Sequence, residues 1–290
     1  MKICLSSDTS CLINYGVLEK FDIKVFPLNV IIDGEEYLDG VSINQEQLRD
    51  AMRGKKTIKT STPPLGQIIN YFEELFEQGY DRIIHFTISS KLSSMNELFT
   101  SVSKNYFDDK IIVIDSLGLS TYMLSQVILA YDELQQGTDI EKLCEKIEEQ
   151  KKAYDVIFVP ENLTALKNGG RVSPAVAAVG NVLGIKPVIK LIDGELVKVD
   201  TTRNVVKTFK QYIDEQVNEY PIADYDYFVV EFDANHNYAE QVYQYIEEKF
   251  PGYKVKRGII PINVCAHCGP GTIGILISKK VNGKALNEYL

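Results

Sequence analysis

Ile83-Ile84-His85-Phe86-Thr87-Ile88, followed by Ser89-Ser90-Lys91-Leu92-Ser93-Ser94, is the stretch on which the fold turns. The first six residues are almost continuously apolar. A strand of that kind is buried on both faces and belongs inside a parallel sheet. The next six are polar and rich in hydroxyls, and they lead into a helix. Outward from this point the first half of the chain repeats the alternation. Residues 3–5 read as a short strand ahead of the polar loop 6–10. Residues 23–32 read as a strand, and Asp33-Gly34 as a tight turn into 36–38. Asn44 caps a helix running to Met52. Thr62 caps, and Pro63 opens, a helix with Ile68, Ile69, Phe72, Leu75 and Phe76 on one face and Gly79 at its end. Residues 111–114 form a further strand and 119–136 a helix. Strands alternating with helices predict an α/β layer with parallel pairing.

The second half reads differently. Thr138 with Glu141 makes a capping box for the helix that precedes a boundary near Gln150-Lys151-Lys152. Residues 156–159 are a strand. Residues 185–192, Asp193-Gly194 and 196–199 make a hairpin, which brings in antiparallel pairing. A helix near 204–220, a strand at 227–232, a helix near 239–250 and strands at 255–260 and 273–278 complete the pattern. The prediction is an α/β protein of two domains. Residues 1–152 form an α/β/α layer with a mainly parallel sheet, and residues 153–290 form an α+β domain with a mixed sheet.

Composition narrows the function. The 290 residues are 45% hydrophobic and 24% charged, with a net charge of −9. An acidic chain of this kind excludes general nucleic-acid binding, which needs clustered Lys and Arg. No apolar run approaches the roughly 20 residues of a membrane span, and the start is too short for a signal-peptide core. Five scattered cysteines fit a reducing compartment better than a disulfide framework. These features predict a cytoplasmic protein.

In open α/β sheets, ligands lie beyond the carboxyl ends of the strands. The loops there, 6–10, 89–94 and 115–120, are all rich in Ser and Thr. Lys59-Thr60-Ser61-Thr62-Pro63-Pro64 places further hydroxyls ahead of a helix start. Helix N-termini attract anions, so each segment reads either as a cradle for a carboxylate or phosphate or as a plain cap. Asn168-Gly169-Gly170-Arg171-Val172-Ser173-Pro174 sets a permanent cation beside the small apolar run 175–183. That run reads as a helix, either the wall of an apolar tunnel or ordinary packing. A cation beside an apolar wall suits a ligand with an acidic head and an apolar body.

Rival chemistries fare less well. A serine nucleophile needs a base; the chain has only His85, His236 and His267, and no Gly-x-Ser-x-Gly elbow. His85 lies in an apolar strand and reads as a core residue. Cys265-Ala266-His267-Cys268 invites a zinc or redox reading, but no second Cys/His pair is near. The motif also runs into Gly269-Pro270-Gly271 instead of opening a helix. Those glycines shape a turn that presents His267 as a hydrogen-bond donor. Phosphate-loop and dinucleotide fingerprints are missing. Asp8 and Asp115 read as caps as readily as Mg²⁺ ligands. No cofactor and no metal are expected.

Taken together, the motifs resemble the DegV family of fatty-acid-binding proteins. They are Ser7-Asp8-Thr9-Ser10; Pro27-Leu28-Asn29-Val30 with Asp33-Gly34; Lys59-Thr60-Ser61-Thr62-Pro63; Ile88-Ser89-Ser90-Lys91-Leu92-Ser93; and Asp115-Ser116. The most specific are Leu166-Lys167-Asn168-Gly169-Gly170-Arg171-Val172-Ser173 with Ile185-Lys186-Pro187, and His267-Cys268-Gly269-Pro270-Gly271. Order and spacing match nearly end to end. The resemblance implies two α/β domains with one long-chain acyl group between them, its carboxylate bonded to Thr60 and Ser93. Ser61 and Ser94 stand beside those two, and Arg171 and His267 lie near the head group. The family usually has glycine after the second serine of that motif; here Ser94-Met95-Asn96 stand there.

The implied partners are a long-chain fatty acid of the palmitate or oleate class and a separate fatty-acid kinase, with transient contact to a membrane. In some bacteria such proteins present the acid to the kinase, which makes acyl-phosphate for phospholipid synthesis, and the carrier itself has no ATP site and no chemistry of its own. The contrary readings are a serine-dependent acyl hydrolase, a small-molecule kinase, or a regulatory module without a cavity.

Overall fold

The computed structural model describes residues 1–11, 18–172, 184–234 and 236–289. The helix expected over 175–183, and its start at Ser173-Pro174, lie outside the described residues. In the first half the strands are β1 Ile3–Asp8, β2 Lys24–Phe26, β3 Asn29–Ile32, β4 Glu35–Leu38, β5 Ile58–Ser61, β6 Arg82–Thr87 and β7 Ile111–Asp115. The helices there are α1 Gln45–Arg53, α2 Leu65–Glu77, α3 Met95–Tyr106, α4 Ser120–Gln135 and α5 Ile140–Gln150. The second half carries β8 Tyr154–Val159, β9 Lys186–Ile192, β10 Glu195–Thr202, β11 Tyr225–Phe232, β12 Lys256–Ile259 and β13 Thr272–Lys279. Its helices are α6 Thr164–Asn168, α7 Val205–Gln216, α8 His236–Lys249 and α9 Ile262–Cys268.

β6 is the strand that the apolar run predicts. Ile83 to Thr87 are all buried, and β6 pairs in parallel with β1 on one side and β7 on the other. The sheet order is β2-β1-β6-β7. Parallel neighbours cannot be joined by a tight turn, and α3 carries the chain from β6 to β7. His85 is fully buried, as expected of a core residue, with Ser6 Oγ 2.8 Å from Nδ1 and the Phe99 ring 4.2 Å away. Its Nε2 has no partner among the described residues.

Three expectations need correction. Residues 23–32 are not one strand. Pro27, which has no N–H to donate, separates β2 from β3, and the two strands belong to different sheets. β3 joins β4 and β5 in a small antiparallel sheet, with Asp33 (φ 51°) and Gly34 (φ 91°) in the tight turn. Thr60 and Ser61 therefore sit on a strand, and α2 starts at Leu65, not at Pro63. Pro64 holds its predecessor out of helical conformation, so the first turn cannot form at Pro63. Third, α5 is capped by Asp139, which accepts from Lys142 N at 2.9 Å, while Thr138 donates to Glu133. A carboxylate is the better acceptor beside a helix N-terminus.

In the second half the sheet order is β10-β9-β8-β13-β11-β12, antiparallel except for β11–β12. Side chains alternate across it. Ile157, Val229 and Ile275 pack with Val205, Phe209 and Ile213 of α7 and Val242 and Ile246 of α8. Val156, Val230 and Leu276 face the other way, into a core shared with Leu5, Ile84 and Phe86 of the first sheet. α4 lies in that shared core. It is buried almost all round, from Ser120 through Ala130, and touches β1 and β13. This apolar contact between the sheets is where the cavity opens.

Candidate functional site

The cavity between the sheets has about 1130 Å³ of empty space, its mouth included. Its walls are mostly apolar, with Leu28, Ile88, Val156, Phe158, Val230 and Leu276 among them. All six residues singled out in the sequence line it: Thr60, Ser61, Ser93, Ser94, Arg171 and His267. They come from four separate segments. Thr60 and Ser61 end β5, Ser93 and Ser94 precede α3, Arg171 follows α6, and His267 lies in α9.

His267 is not on a glycine-shaped turn. It sits in the last turn of α9, and Gly269 (φ 75°) ends that helix. The Cys265-x-x-Cys268 pair is thus at the C-terminal end of a helix, where the dipole disfavours a thiolate. Burial pushes the Cys265 thiol well above its usual range.

His267 Nε2 lies 2.9 Å from Thr60 Oγ1. Burial, with the nearby Arg171 charge, pulls its pKa down to about 4, so the ring is neutral at pH 7. A neutral ring has one proton to place. On Nε2 it donates to Thr60, and the Thr60 hydroxyl proton is then free to donate to a ligand. On Nδ1 it would sit on an atom that is buried without a partner among the described residues. An unpaired buried N–H is the costlier orphan, which favours Nε2–H. Gly169 packs against the other side of the ring: a Cβ there would lie 2.2 Å from Nδ1. The pair of glycines therefore has divided roles, because Gly170 (φ 70°) has open space but needs a left-handed backbone.

Arg171 is half-buried. Its Nε donates to the Leu92 carbonyl at 3.2 Å, and its guanidinium also donates to the Gly169 carbonyl. It thereby ties its own loop to the residue before Ser93. Among the described residues no carboxylate pairs with it. Ser93 has a backbone N–H to Ser89 O at 3.1 Å, and among the described residues its hydroxyl has no protein partner. Ser61 differs, since its hydroxyl donates to Glu36 at 3.0 Å. Ser94 is exposed at the start of α3 and makes no side-chain cap.

The carboxylates considered for Mg²⁺ have other work. Asp8 accepts from Ser10 N and Ile88 N, both at 2.8 Å, and burial raises its pKa to about 6. Asp115 accepts from Ser90 N and Leu117 N. Each pins a loop at the carboxyl edge of the first sheet. Among the described residues no group of three His, Cys, Asp or Glu is placed to hold a metal ion. Asn263 and Thr272 are polar lining residues that the sequence reading did not single out. The signal for Asn263 was its place four residues before His267, which puts both on one helix face. A second, more polar hollow shares Thr60, Arg171 and His267 and adds Lys56, Lys59 and Asn168.

Residues 2–280 match the family described as "Uncharacterised protein, DegV family". The chain belongs to the DegV family. A DegV domain-containing protein of Mycoplasmopsis pulmonis is 28% identical over 282 residues, 96% of each chain. Two solved DegV-fold structures are similar throughout. A DegV lipid-binding protein of Thermotoga maritima is 25% identical with a TM-score of 0.83, covering 96% of this chain and 99% of its own. A stearic-acid-binding protein of Eubacterium ventriosum is 26% identical with a TM-score of 0.79, covering 97% and 99%. The parallel first sheet and mixed second sheet are those of the DegV fold. No described helix of this DegV chain is long and apolar enough to cross a membrane.

Proposed function

We propose that this DegV-family protein binds one long-chain fatty acid of the palmitate or oleate class. Its carboxylate is held by Thr60 and Ser93, with Ser61 and Ser94 beside them and Arg171 and His267 next to the head group. Its acyl chain lies in the apolar cavity between two domains, residues 1–152 and 153–290. The observation that carries this reading is the cavity's lining: mostly apolar side chains, with the hydroxyls of Thr60 and Ser93, Thr60 bonded to His267, and Arg171 as the one cation among the described lining residues. Burying a sixteen-carbon chain at about 0.8 kcal/mol per CH₂ gives on the order of 10 kcal/mol before ordering costs. The head group then needs only a few hydrogen bonds to fix the chain's direction. Membership of the DegV family and similarity to a DegV lipid-binding protein and to a stearic-acid-binding protein support the assignment.

The protein serves as a cytoplasmic carrier without chemistry of its own. It takes its cargo from membrane and presents the carboxylate to a separate acyl kinase for phospholipid synthesis. The polar hollow beside Thr60 and His267, with Lys56 and Lys59 on its rim, gives such a kinase access to the head group. An acyl hydrolase is less well supported. His267 bonds to Thr60, and the Ser6–His85 pair is buried in the core with a ring whose pKa burial lowers to about 3. Native mass spectrometry of the purified protein tests the proposal: co-purified acyl chains are expected. A lipid-free protein that also fails to bind added palmitate or oleate would refute it.

A further inference from the structure

We propose that the acyl chain carries a hydroxyl close to its carboxyl end, and that Asn263 recognises it. This rests on the fatty-acid reading above and narrows its ligand to a long-chain acid hydroxylated on one of its first several carbons, for which the β-hydroxy acid is the probe. Asn263 lines the cavity, is 5% exposed, and lies in the first turn of α9. His267 is four residues further on the same helix face, about 6 Å away at about 1.5 Å rise per residue. A carboxylate beside His267 therefore brings the first few carbons of its chain alongside Asn263.

The Asn263 side chain is held but not satisfied. Its backbone N–H donates to Asp39 Oδ2 at 3.1 Å and its Nδ2 to Ser10 Oγ at 2.6 Å, while Oδ1 has no hydrogen-bond partner among the described residues. Turning the amide by half a turn exchanges the two atoms and leaves an N–H unpaired instead. An alkyl chain would seal either orphan away from water for good. A hydroxyl both donates and accepts, so it satisfies the amide in either orientation.

Two further lining residues hold buried atoms without a partner among the described residues, Asn29 Oδ1 and Ser120 Oγ. Ser120 opens α4, which has no side-chain cap, and is 1% exposed. All three residues are uncharged. They suit a neutral hydroxyl in the chain and offer nothing to balance a second carboxylate.

The test is calorimetric titration of the lipid-free, full-length protein with hexadecanoate, β-hydroxyhexadecanoate and ω-hydroxyhexadecanoate. The β-hydroxy acid should bind about tenfold more tightly than hexadecanoate, the worth of one buried hydrogen bond, and the ω-hydroxy acid no more tightly. Asn263→Val should abolish the preference. Wild-type binding of hexadecanoate equal to or tighter than the β-hydroxy acid overturns the proposal and leaves the fatty-acid reading standing. So does a preference that survives Asn263→Val. If none of the three acids binds, both fail together. Should Asn263→Val not fold, the wild-type comparison still decides.

Discussion

Gly169→Ala separates two physical effects that usually travel together. Gly169 follows α6 with φ −75° and ψ −13°, a conformation any residue adopts. Backbone preference alone favours alanine, by up to about 1 kcal/mol for glycine in a helix. The site predicts the opposite. The new Cβ would lie 2.2 Å from His267 Nδ1, 3.0 Å from Cε1 and 3.3 Å from the Ala165 carbonyl. The imidazole must swing away, and the 2.9 Å bond from Nε2 to Thr60 goes with it. Overpacking of this kind costs about 1–3 kcal/mol, and a lost hydrogen bond about 0.5–1.5 kcal/mol. Net destabilisation of roughly 1–3 kcal/mol is expected in urea unfolding. Palmitate affinity should fall about tenfold or more, because Thr60 loses the partner that aims its hydroxyl. Gly170→Ala is the comparator. Its Cβ has open space but its φ of 70° disfavours a side chain, so stability should drop by about 1 kcal/mol with affinity unchanged. A Gly169→Ala protein that is as stable as wild type and binds palmitate equally well would refute the account of the head-group end.

Thr60→Val and Ser93→Ala should each weaken palmitate binding by about tenfold to a hundredfold, since a hydrogen bond to a charged group is worth roughly 1.5–3 kcal/mol; wild-type affinity in the double variant would remove both from the site. Arg171→Ala should reduce acyl transfer by a kinase more than it reduces palmitate affinity, which separate transfer and binding assays would measure; an equal loss in both would make Arg171 a plain binding residue. Acid should destabilise the fold through its neutral histidines. The pKa of His85 is about 3 and that of His267 about 4 in the folded chain, against about 6.5 unfolded. Their stabilisation is complete above pH 6.5 and is lost as pH falls, while Asp8, raised to about 6, works in the opposite sense between about pH 6 and 4. His85→Phe should therefore shrink the loss between pH 7 and 5 by about 2 kcal/mol, and an unchanged pH slope would mean that His85 is charged in the folded chain.

The parts of the fold legible in the sequence are those where one local signal had no competitor. The run 83–88 had to be a doubly buried strand, and Asp33-Gly34 and Asp193-Gly194 had to be hairpin turns, because few other backbones suit those residues. The corrections fall where two local signals met. At Pro63-Pro64, a good first-turn residue is also held extended by the proline after it. At Thr138-Asp139, two capping residues compete, and the carboxylate prevails.

The six candidate residues were legible as a set only through motif order, since their meeting at one cavity depends on four segments that no local rule joins. What the sequence could not carry is the state of each hydroxyl on arrival. Ser61 and Ser93 look alike in sequence, yet Glu36, across the small sheet, accepts a hydrogen bond from Ser61, while the Ser93 hydroxyl has no partner among the described residues. Two serines of equal standing as residues are thus unequal as donors. If the carboxylate is bound by free hydroxyls, Ser61→Ala should change palmitate affinity less than threefold while Ser93→Ala changes it about tenfold or more. Equal losses in the two variants would show that bringing hydroxyls to the cavity mouth is enough, whatever else they touch.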